Sequence, residues 1–386
     1  MGRGLRRAAA GLAVAVVLGG PPVAGALGED GGGTPETAAG RSYDAGQARA
    51  RTAERMKAGG IVDLPVEFRV VNRNRSALAC NTDGRTYTVR GHLTAPAGLL
   101  DRPGPGRPPV TVYQHGFEAA EWYWRVDVPG YHHSEEMARR GQISLTFDRV
   151  GYGASDRPDG RQLCLGGAAD MTHQIVGLLR SGAYTVKGRA TAPRFGKVAL
   201  AGHDRGAQIA QIAAYSFHDV DGLVLTGWSD GGLTDEDDAR FFAALTSCMQ
   251  GGVPAVAPDD PVGYVHLDPG PREFAQGNFA DTDPRVLDVA LARQSRHSCG
   301  EQAAQLEGVL VDTRRLDRIR VPVALVLGAE DRRVGGGSAH RARFTGTADT
   351  ALLTVRGSGH FLALERGARQ IHDFLADWLE QKGLTP

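Results

Sequence analysis

Asp204 stands between two glycines in Gly202-His203-Asp204-Arg205-Gly206, after the apolar run 198–201 and before a small-residue run that begins at Ala207. A strand that turns sharply into a helix lifts the central side chain of the turn above the sheet, and only small residues fit beside it. Here that side chain is a carboxylate. A carboxylate nucleophile attacks a saturated carbon, forms an ester and needs an activated water to release it, which suits an epoxide or an alkyl halide. The water needs a histidine base, and the base needs an acid to orient it. Of the 12 histidines, His360 lies in Gly357-Ser358-Gly359-His360-Phe361, after an apolar run and before the last amphipathic stretch. Asp331, in Gly328-Ala329-Glu330-Asp331, follows another apolar run, with Glu330 and Asp230 as competing acids. Taken alone, Asp204 reads as a helix N-cap.

These residues need a scaffold that alternates strand and helix. Alternating residues in 66–73 and 87–97 predict an antiparallel hairpin joined near Asn81-Thr82-Asp83-Gly84. Strands are then expected at 110–114, 143–147, 197–201, 223–226, 321–328 and 350–355. Helices are expected at 132–140, 170–184, 207–217 and 365–381. That alternation implies crossover connections and an α/β fold with a mainly parallel sheet. Between 228 and 316 the rhythm breaks into acidic and Pro/Gly-rich segments, with helical pieces near 237–249, 284–297 and 299–308. This stretch reads as a cap inserted after the sixth expected strand, in a core of 61–227 and 317–386. The acidic run Asp235-Glu236-Asp237-Asp238 reads as a solvated helix start.

The motifs and their order resemble the α/β-hydrolase family across about residues 61–383. Gly202–Gly206 resembles its nucleophile elbow, His115-Gly116-Phe117 its His-Gly element, and Asp148-Arg149-Val150-Gly151-Tyr152-Gly153-Ala154-Ser155 its Asp-x-x-Gly-x-Gly-x-Ser loop. Gly328–Asp331 and Gly357–Phe361 match the loops bearing the acid and the histidine. The resemblance implies Asp204 as nucleophile, His360 as base, Asp331 as orienting acid, and backbone N–H groups of Phe117 and Arg205 as an oxyanion or leaving-group pocket. It points to the Asp-nucleophile branch, with epoxide hydrolases and haloalkane and haloacid dehalogenases. Gly-His-Asp-Arg-Gly-Ala is similar to fluoroacetate dehalogenases, in which arginines bind the substrate carboxylate, but Gln208 stands where a second arginine is expected. Haloalkane dehalogenases carry Trp and Asn where this chain has Arg205 and Phe117. Epoxide hydrolases offer two cap tyrosines, where this cap holds only Tyr264. His203, Glu118, Trp122 and Trp124 are candidate pocket or packing residues. An ester or lactone hydrolase with Asp in place of Ser is the alternative function, and a ligand-binding protein on a hydrolase scaffold is another.

Composition narrows the partners. Arg3, Arg6 and Arg7 precede the apolar 8–18 run and small residues ending at Ala26, which predicts a signal peptide over 1–26 and a secreted, extracellular protein. Residues 27–60 lack periodicity and read as a flexible segment. The chain's formal net charge is zero, and without the leader it is slightly acidic, so neither nucleic acid nor an anionic membrane is expected as partner. No membrane anchor is expected, and the partner is a small-molecule substrate. Four cysteines in an exported chain, none at CxxC spacing, favour disulfides over a metal site, with Cys80–Cys164 and Cys248–Cys299 the favoured pairs. With no P-loop, dinucleotide fingerprint or metal-ligand cluster, no cofactor is expected.

Overall fold

Runs rich in Val, Leu and Thr favour strands, and in the computed structural model, which describes residues 60–100, 106–254 and 260–386, they assemble into one nine-stranded sheet. The expected leader and the 27–60 segment, apart from Gly60, lie outside the described residues. β1 (Ile61–Val71) and β2 (Thr86–Pro96) form the expected antiparallel hairpin. β3 (Val110–Gln114), β4 (Ser144–Phe147), the two-residue β5 (Thr185–Val186), β6 (Val198–His203) and β7 (Gly222–Thr226) follow in the chain. β8 (Tyr264–Val265) and β9 (His297–Ser298) form a separate antiparallel ribbon, and β10 (Val323–Gly328) and β11 (Thr350–Val355) rejoin the sheet. The order across the sheet is β11-β10-β7-β6-β3-β4-β2-β1-β5. All neighbours from β4 to β11 pair in parallel, as the strand–helix alternation requires.

Parallel strands covered on both faces read as continuous apolar runs, and every residue of β6 is buried. Alternate side chains feed two layers. Val112, Leu200 and Leu223 pack with α2 (Leu165–Ser181) and α3 (Arg205–Phe217), while Tyr113, Ala201 and Val224 pack with α1 (His133–Arg139) and α9 (Ala368–Gln381). On α9, Ile371, Leu375, Trp378 and Leu379 form the apolar stripe that a core-facing helix requires. The carboxyl ends of β3, β6, β7, β10 and β11 share one edge, so the loops beginning at His115, Asp204, Gly227, Ala329 and Arg356 meet there, where open α/β sheets bind ligands.

Between β7 and β10 the chain forms α4 (Asp235–Met249), α5 (Pro271–Asn278), α6 (Pro284–Ala292) and α7 (Cys299–Asp312) together with the ribbon. A short helix, α8 (Gly337–Arg341), lies between β10 and β11. Sequence reading did not anticipate α5, because Pro269-Gly270-Pro271 looks like a breaker. Pro271 instead occupies the first helical turn, where a missing N–H costs nothing. The helix expected over 170–184 begins at Leu165, where Cys164 caps it. Its early Gly166 permits close approach to the Leu78 carbonyl, which a Cβ would strike. The helix expected over 284–297 ends at Ala292, since His297 and Ser298 pair with β8.

Both favoured disulfides are formed. Cys80–Cys164 ties the β1–β2 connection to the start of α2, and Cys248–Cys299 ties the end of α4 to the start of α7. The second closes a separation of 51 residues. Loop-closure entropy therefore predicts that the Cys248→Ala/Cys299→Ala double variant loses about 2–4 kcal/mol of stability. Thermal and urea denaturation of that variant against the parent measure it, and no loss would mean that the inserted helices are held by other contacts.

Candidate active site

The turn from β6 into α3 forces Asp204 to φ 52° and ψ −122°, a backbone region that costs a non-glycine residue about 1–3 kcal/mol. Gly206 permits the turn, because a Cβ there would come within 2.5 Å of the Gln114 carbonyl oxygen. Asp204 keeps only 7 % of its surface exposed. Its Oδ2 accepts a hydrogen bond from the Phe117 N–H at 2.9 Å. Its Oδ1 lies 3.2 Å from Arg205 Nη1 and 3.8 Å from His360 Nε2. The other ring nitrogen of His360, Nδ1, is 2.9 Å from Asp331 Oδ2. Asp331 Oδ1 in turn accepts from the backbone N–H groups of Arg333 and Val334, at 2.8 and 3.1 Å. Asp204, His360 and Asp331, singled out from three distant motifs, thus come together at the carboxyl edge of the sheet, and the Phe117 N–H joins them.

Electrostatics sets the charge states. Burial pushes the Asp204 carboxyl up, but the Arg205 guanidinium and the His360 ring outweigh it and hold the group well below the usual range. Burial pushes His360 down, yet Asp331 and Asp204 together raise it to about 9. Asp331, raised by burial, is held low by His360. The resting site at neutral pH is therefore an imidazolium between two carboxylates.

Neighbouring residues fix this geometry. His203 Nε2 donates to the His360 carbonyl oxygen at 2.9 Å, and its ring stacks on Tyr123 with centroids 4.4 Å apart. Burial lowers His203 to about 3, so it is a neutral brace. Trp122 and Trp124 are buried in aromatic packing around Tyr123. Arg205 is fully buried, with its guanidinium 4.6 Å from the Trp228 ring centroid and 5.2 Å from that of Phe117. His297 stacks on the other aromatic of this group, Phe117, at 3.9 Å.

One expectation is corrected, and three other residues singled out in the sequence find their partners. Asp237 is not solvated: it is 2 % exposed, lies 3.8 Å from Arg205 Nη2 and accepts from Arg333 Nη1 at 3.0 Å. Only its neighbours Asp235, Glu236 and Asp238 are exposed, because the helix period turns the third acid inward. Tyr264 does not offer its hydroxyl to Asp204; it donates to the Pro158 carbonyl oxygen at 3.0 Å. Asp230 accepts from Trp228 Nε1 and Gln211 Nε2, both at 2.8 Å, and makes no contact with His360. Gln208 donates to Asp312 at 3.0 Å, away from the carboxylate site.

Sequence reading misread Asp237 and missed its partners Arg333 and Asp268 altogether. Arg333 binds Asp237, Asn278 and Asp268, and Asp268 also pairs with Arg240. Glu118, at φ 55°, closes this network: its Oε1 accepts from Asp268 N at 2.8 Å and Gln294 Nε2 at 2.7 Å. No local signal marks these partners, since they are distant in sequence. The usable hint was only that buried charges must be paired.

The sequence profile described as "Alpha/beta hydrolase family" matches residues 110–373, and the chain belongs to that family. No curated protein sequence matches it. A thermophilic esterase from Thermogutta terrifontis is similar at 16 % identity and a TM-score of 0.56, over 82 % of this chain and 98 % of that one. A hydrolase from Pseudomonas aeruginosa is similar at 16 % identity and 0.52, over 79 % and 99 %. A monoacylglycerol lipase from Paleococcus ferrophilus is similar at 15 % identity and 0.51, over 72 % and 96 %. These likenesses fix the α/β-hydrolase fold, and this chain is a hydrolase of it.

Glu118 gives a pH test of the network. Burial pushes it from its ordinary 4.5 to about 8, against the pull of Arg333. Between those values the folded protein holds a proton that the unfolded chain releases, so this group's contribution to stability falls as pH rises from about 4.5 to 8. Glu118→Gln removes the term. Urea denaturation at pH 5 and pH 8 is expected to show a smaller loss of stability with pH in the variant, and an unchanged loss would mean that Glu118 is ionised in the fold.

Proposed function

We propose that this hydrolase acts through a covalent ester on Asp204, with His360 as acid and base and Asp331 as its orienting acid, on a small organic substrate with an electrophilic saturated carbon. The observation that carries the reading is the unequal use of the two Asp204 oxygens. Oδ2 is fixed by the Phe117 N–H, and Oδ1 faces His360 across 3.8 Å. An epoxide suits the site better than a halide. The opening oxygen needs a proton, which a protonated His360 supplies, and Arg205 and Phe117 stand where indole and amide donors to a halide would be expected.

The steps balance. Asp204 Oδ1 attacks the epoxide carbon, the ring C–O bond breaks, and His360 Nε2–H protonates the leaving oxygen to give a hydroxy ester and a neutral imidazole. Alkylation cancels the charge of Asp204, which removes one of the two carboxylates that raise the His360 pKa. The neutral ring then takes a proton from water, whose oxygen attacks the ester carbonyl. The Phe117 N–H steadies the oxyanion. Collapse expels the alkoxide, which takes the proton of the newly added hydroxyl and leaves as the diol, so that the Asp204 carboxylate and the His360 imidazolium are both restored. Residues 228–316 act as the cap, in which Asp237 contacts Arg205 from α4. A leader over 1–26 would deliver the enzyme outside the cell, in keeping with its two disulfides.

A single turnover in oxygen-18 water tests the route: the label is expected in the carboxylate of Asp204, read by mass spectrometry of its peptide. An active enzyme that leaves Asp204 unlabelled would falsify the covalent-ester reading. His360→Gln removes both the acid for ring opening and the base for ester hydrolysis, so turnover is expected to fall at least about a hundredfold, read as product formed at saturating substrate. The Phe117 N–H would serve a tetrahedral acyl oxyanion equally well, which is the observation favouring ester or lactone hydrolysis. Asp204→Ser distinguishes that reading by a gain of activity on aryl esters.

A further inference from the structure

Phe117 and Glu118 sit in the middle of a loop whose two ends are pinned to the core. His115 Nε2 accepts from the Arg149 N–H at 3.1 Å, and the Glu121 N–H donates to Asp148 Oδ1 at 2.7 Å. Both anchors belong to the loop after β4. Between them Glu118 is held at φ 55°, a left-handed backbone that few residues other than glycine adopt and that persists where the surroundings impose it.

Those surroundings come largely from the inserted stretch. Asp268, in the loop after β8, donates its N–H to Glu118 Oε1 at 2.8 Å, and Gln294 Nε2 donates to the same oxygen at 2.7 Å. The Ser295 N–H donates to the Glu118 carbonyl oxygen at 2.9 Å. His297, in β9, lies face to face with the Phe117 ring, with centroids 3.9 Å apart and planes within 8° of parallel. The orientation of that imidazole is also set inside the insert. Its Nε2 donates to Gln302 Oε1 at 2.7 Å, and Gln302 Nε2 donates to the Phe241 carbonyl oxygen at 2.9 Å. The core contributes Arg333 Nη2, 3.8 Å from Glu118 Oε2, and the Arg205 guanidinium, 5.2 Å from the Phe117 ring centroid.

We propose that Gln294, Ser295 and His297 are positioning residues: they hold the Phe117–Glu118 turn so that the Phe117 N–H stays on Asp204, and the site is complete only while the ribbon is closed against it. Asp204 is 7 % exposed, and Phe117 and His360 are each 2 % exposed, so a substrate reaches the carboxylate only when something covering it withdraws. Withdrawal of the ribbon removes three hydrogen bonds and one ring stack from two adjacent residues at once. Glu118 is then free to leave the left-handed region, and the Phe117 N–H loses the support that aims it at Asp204 Oδ2. Closure reverses this, so that covering the substrate and assembling the donor are one event. The use of that N–H on an oxyanion rests on the covalent-ester reading, whereas the clamp rests on the contacts alone.

Amide hydrogen exchange of the full chain, read by mass spectrometry on peptides spanning 115–120 and 198–203, tests the clamp without any turnover. His297→Ala is expected to speed exchange of the 115–120 peptide at least about tenfold while the β6 peptide stays protected, the mark of a local opening. His297→Phe keeps a ring on Phe117 and should restore most of the protection. Should His297→Ala lose β6 protection as well, Gln294→Leu carries the comparison, since it removes one donor to Glu118 and leaves the ring stack in place. Exchange of the 115–120 peptide equal to that of the parent, or a His297→Phe variant no better protected than His297→Ala, would overturn the assignment. Oxygen-18 label in Asp204 together with an unchanged 115–120 peptide would leave the covalent route standing and remove the clamp. A released peptide without label would do the reverse.

Discussion

A nearly buried carboxylate that stays ionised is the constraint around which this molecule is arranged. Moving an anion out of water is costly, and an isolated carboxyl at the Asp204 position would take up a proton and lose its nucleophilicity. Three groups prevent that: the Phe117 N–H, the Arg205 guanidinium and the His360 imidazolium. Each comes from a different loop, so the sheet must bring the ends of β3, β6 and β11 to one edge before the charge can exist. The strained turn at Asp204 belongs to the same requirement, since it points the carboxylate out of the sheet and toward those three partners.

The cations that stabilise Asp204 need anions of their own, and this carries the electrostatics outward. Arg205 lies against Asp237, Asp237 against Arg333, Arg333 against Asp268, and Asp268 against Arg240. The chain alternates in sign and is mostly buried. Paired charges of this kind add little net stability, but removing one partner strands the next at about 3–5 kcal/mol. The inserted stretch contributes Asp237 and Arg240 from α4 and Asp268 from the loop before α5, and the loop after β10 contributes Arg333, two residues beyond Asp331. The inserted stretch and Asp331, which bonds both His360 and the Arg333 backbone, are therefore tied to one ionic system.

How much of this could be read from the residues depended on whether the signal was local. Asp204, His360 and Asp331 were legible because each sits in a short motif whose glycines answer a steric demand of the backbone. The sheet was legible because buried parallel strands such as β6 are apolar up to the residue before the turn, and the cysteine pairs because each falls within one expected structural unit. The Asp237 contact was not legible. A run of four acids at a helix start satisfies the dipole of that helix, and nothing in the run says which acid the 100° turn directs inward. Arg333 was hidden for a related reason, since Glu118, Asp237, Asp268 and Asn278, which surround its guanidinium, are all distant from it in the chain. Where the Tyr264 hydroxyl points was not legible either, since the two-residue pairing with His297 and Ser298, which turns it toward Pro158, carries no pattern of its own.

Arg205 shows how the network bears on the chemistry. In the resting state it faces two carboxylates, Asp204 and Asp237, with aromatic rings of Phe117 and Trp228 on its flat faces. Those rings exclude water and hold the guanidinium in one orientation, so its attraction to Asp204 is not dissipated by solvent. On the proposed route, esterification of Asp204 removes one of the two anions. Arg205 is then left with Asp237 alone, and His360 is left with Asp331 alone. With the Asp204 charge gone, the pKa of His360 falls, so the imidazole stays neutral and is free to take a proton from water. A single change of charge at the elbow thus readies the histidine for hydrolysis, and the effect reverses when water restores the carboxylate.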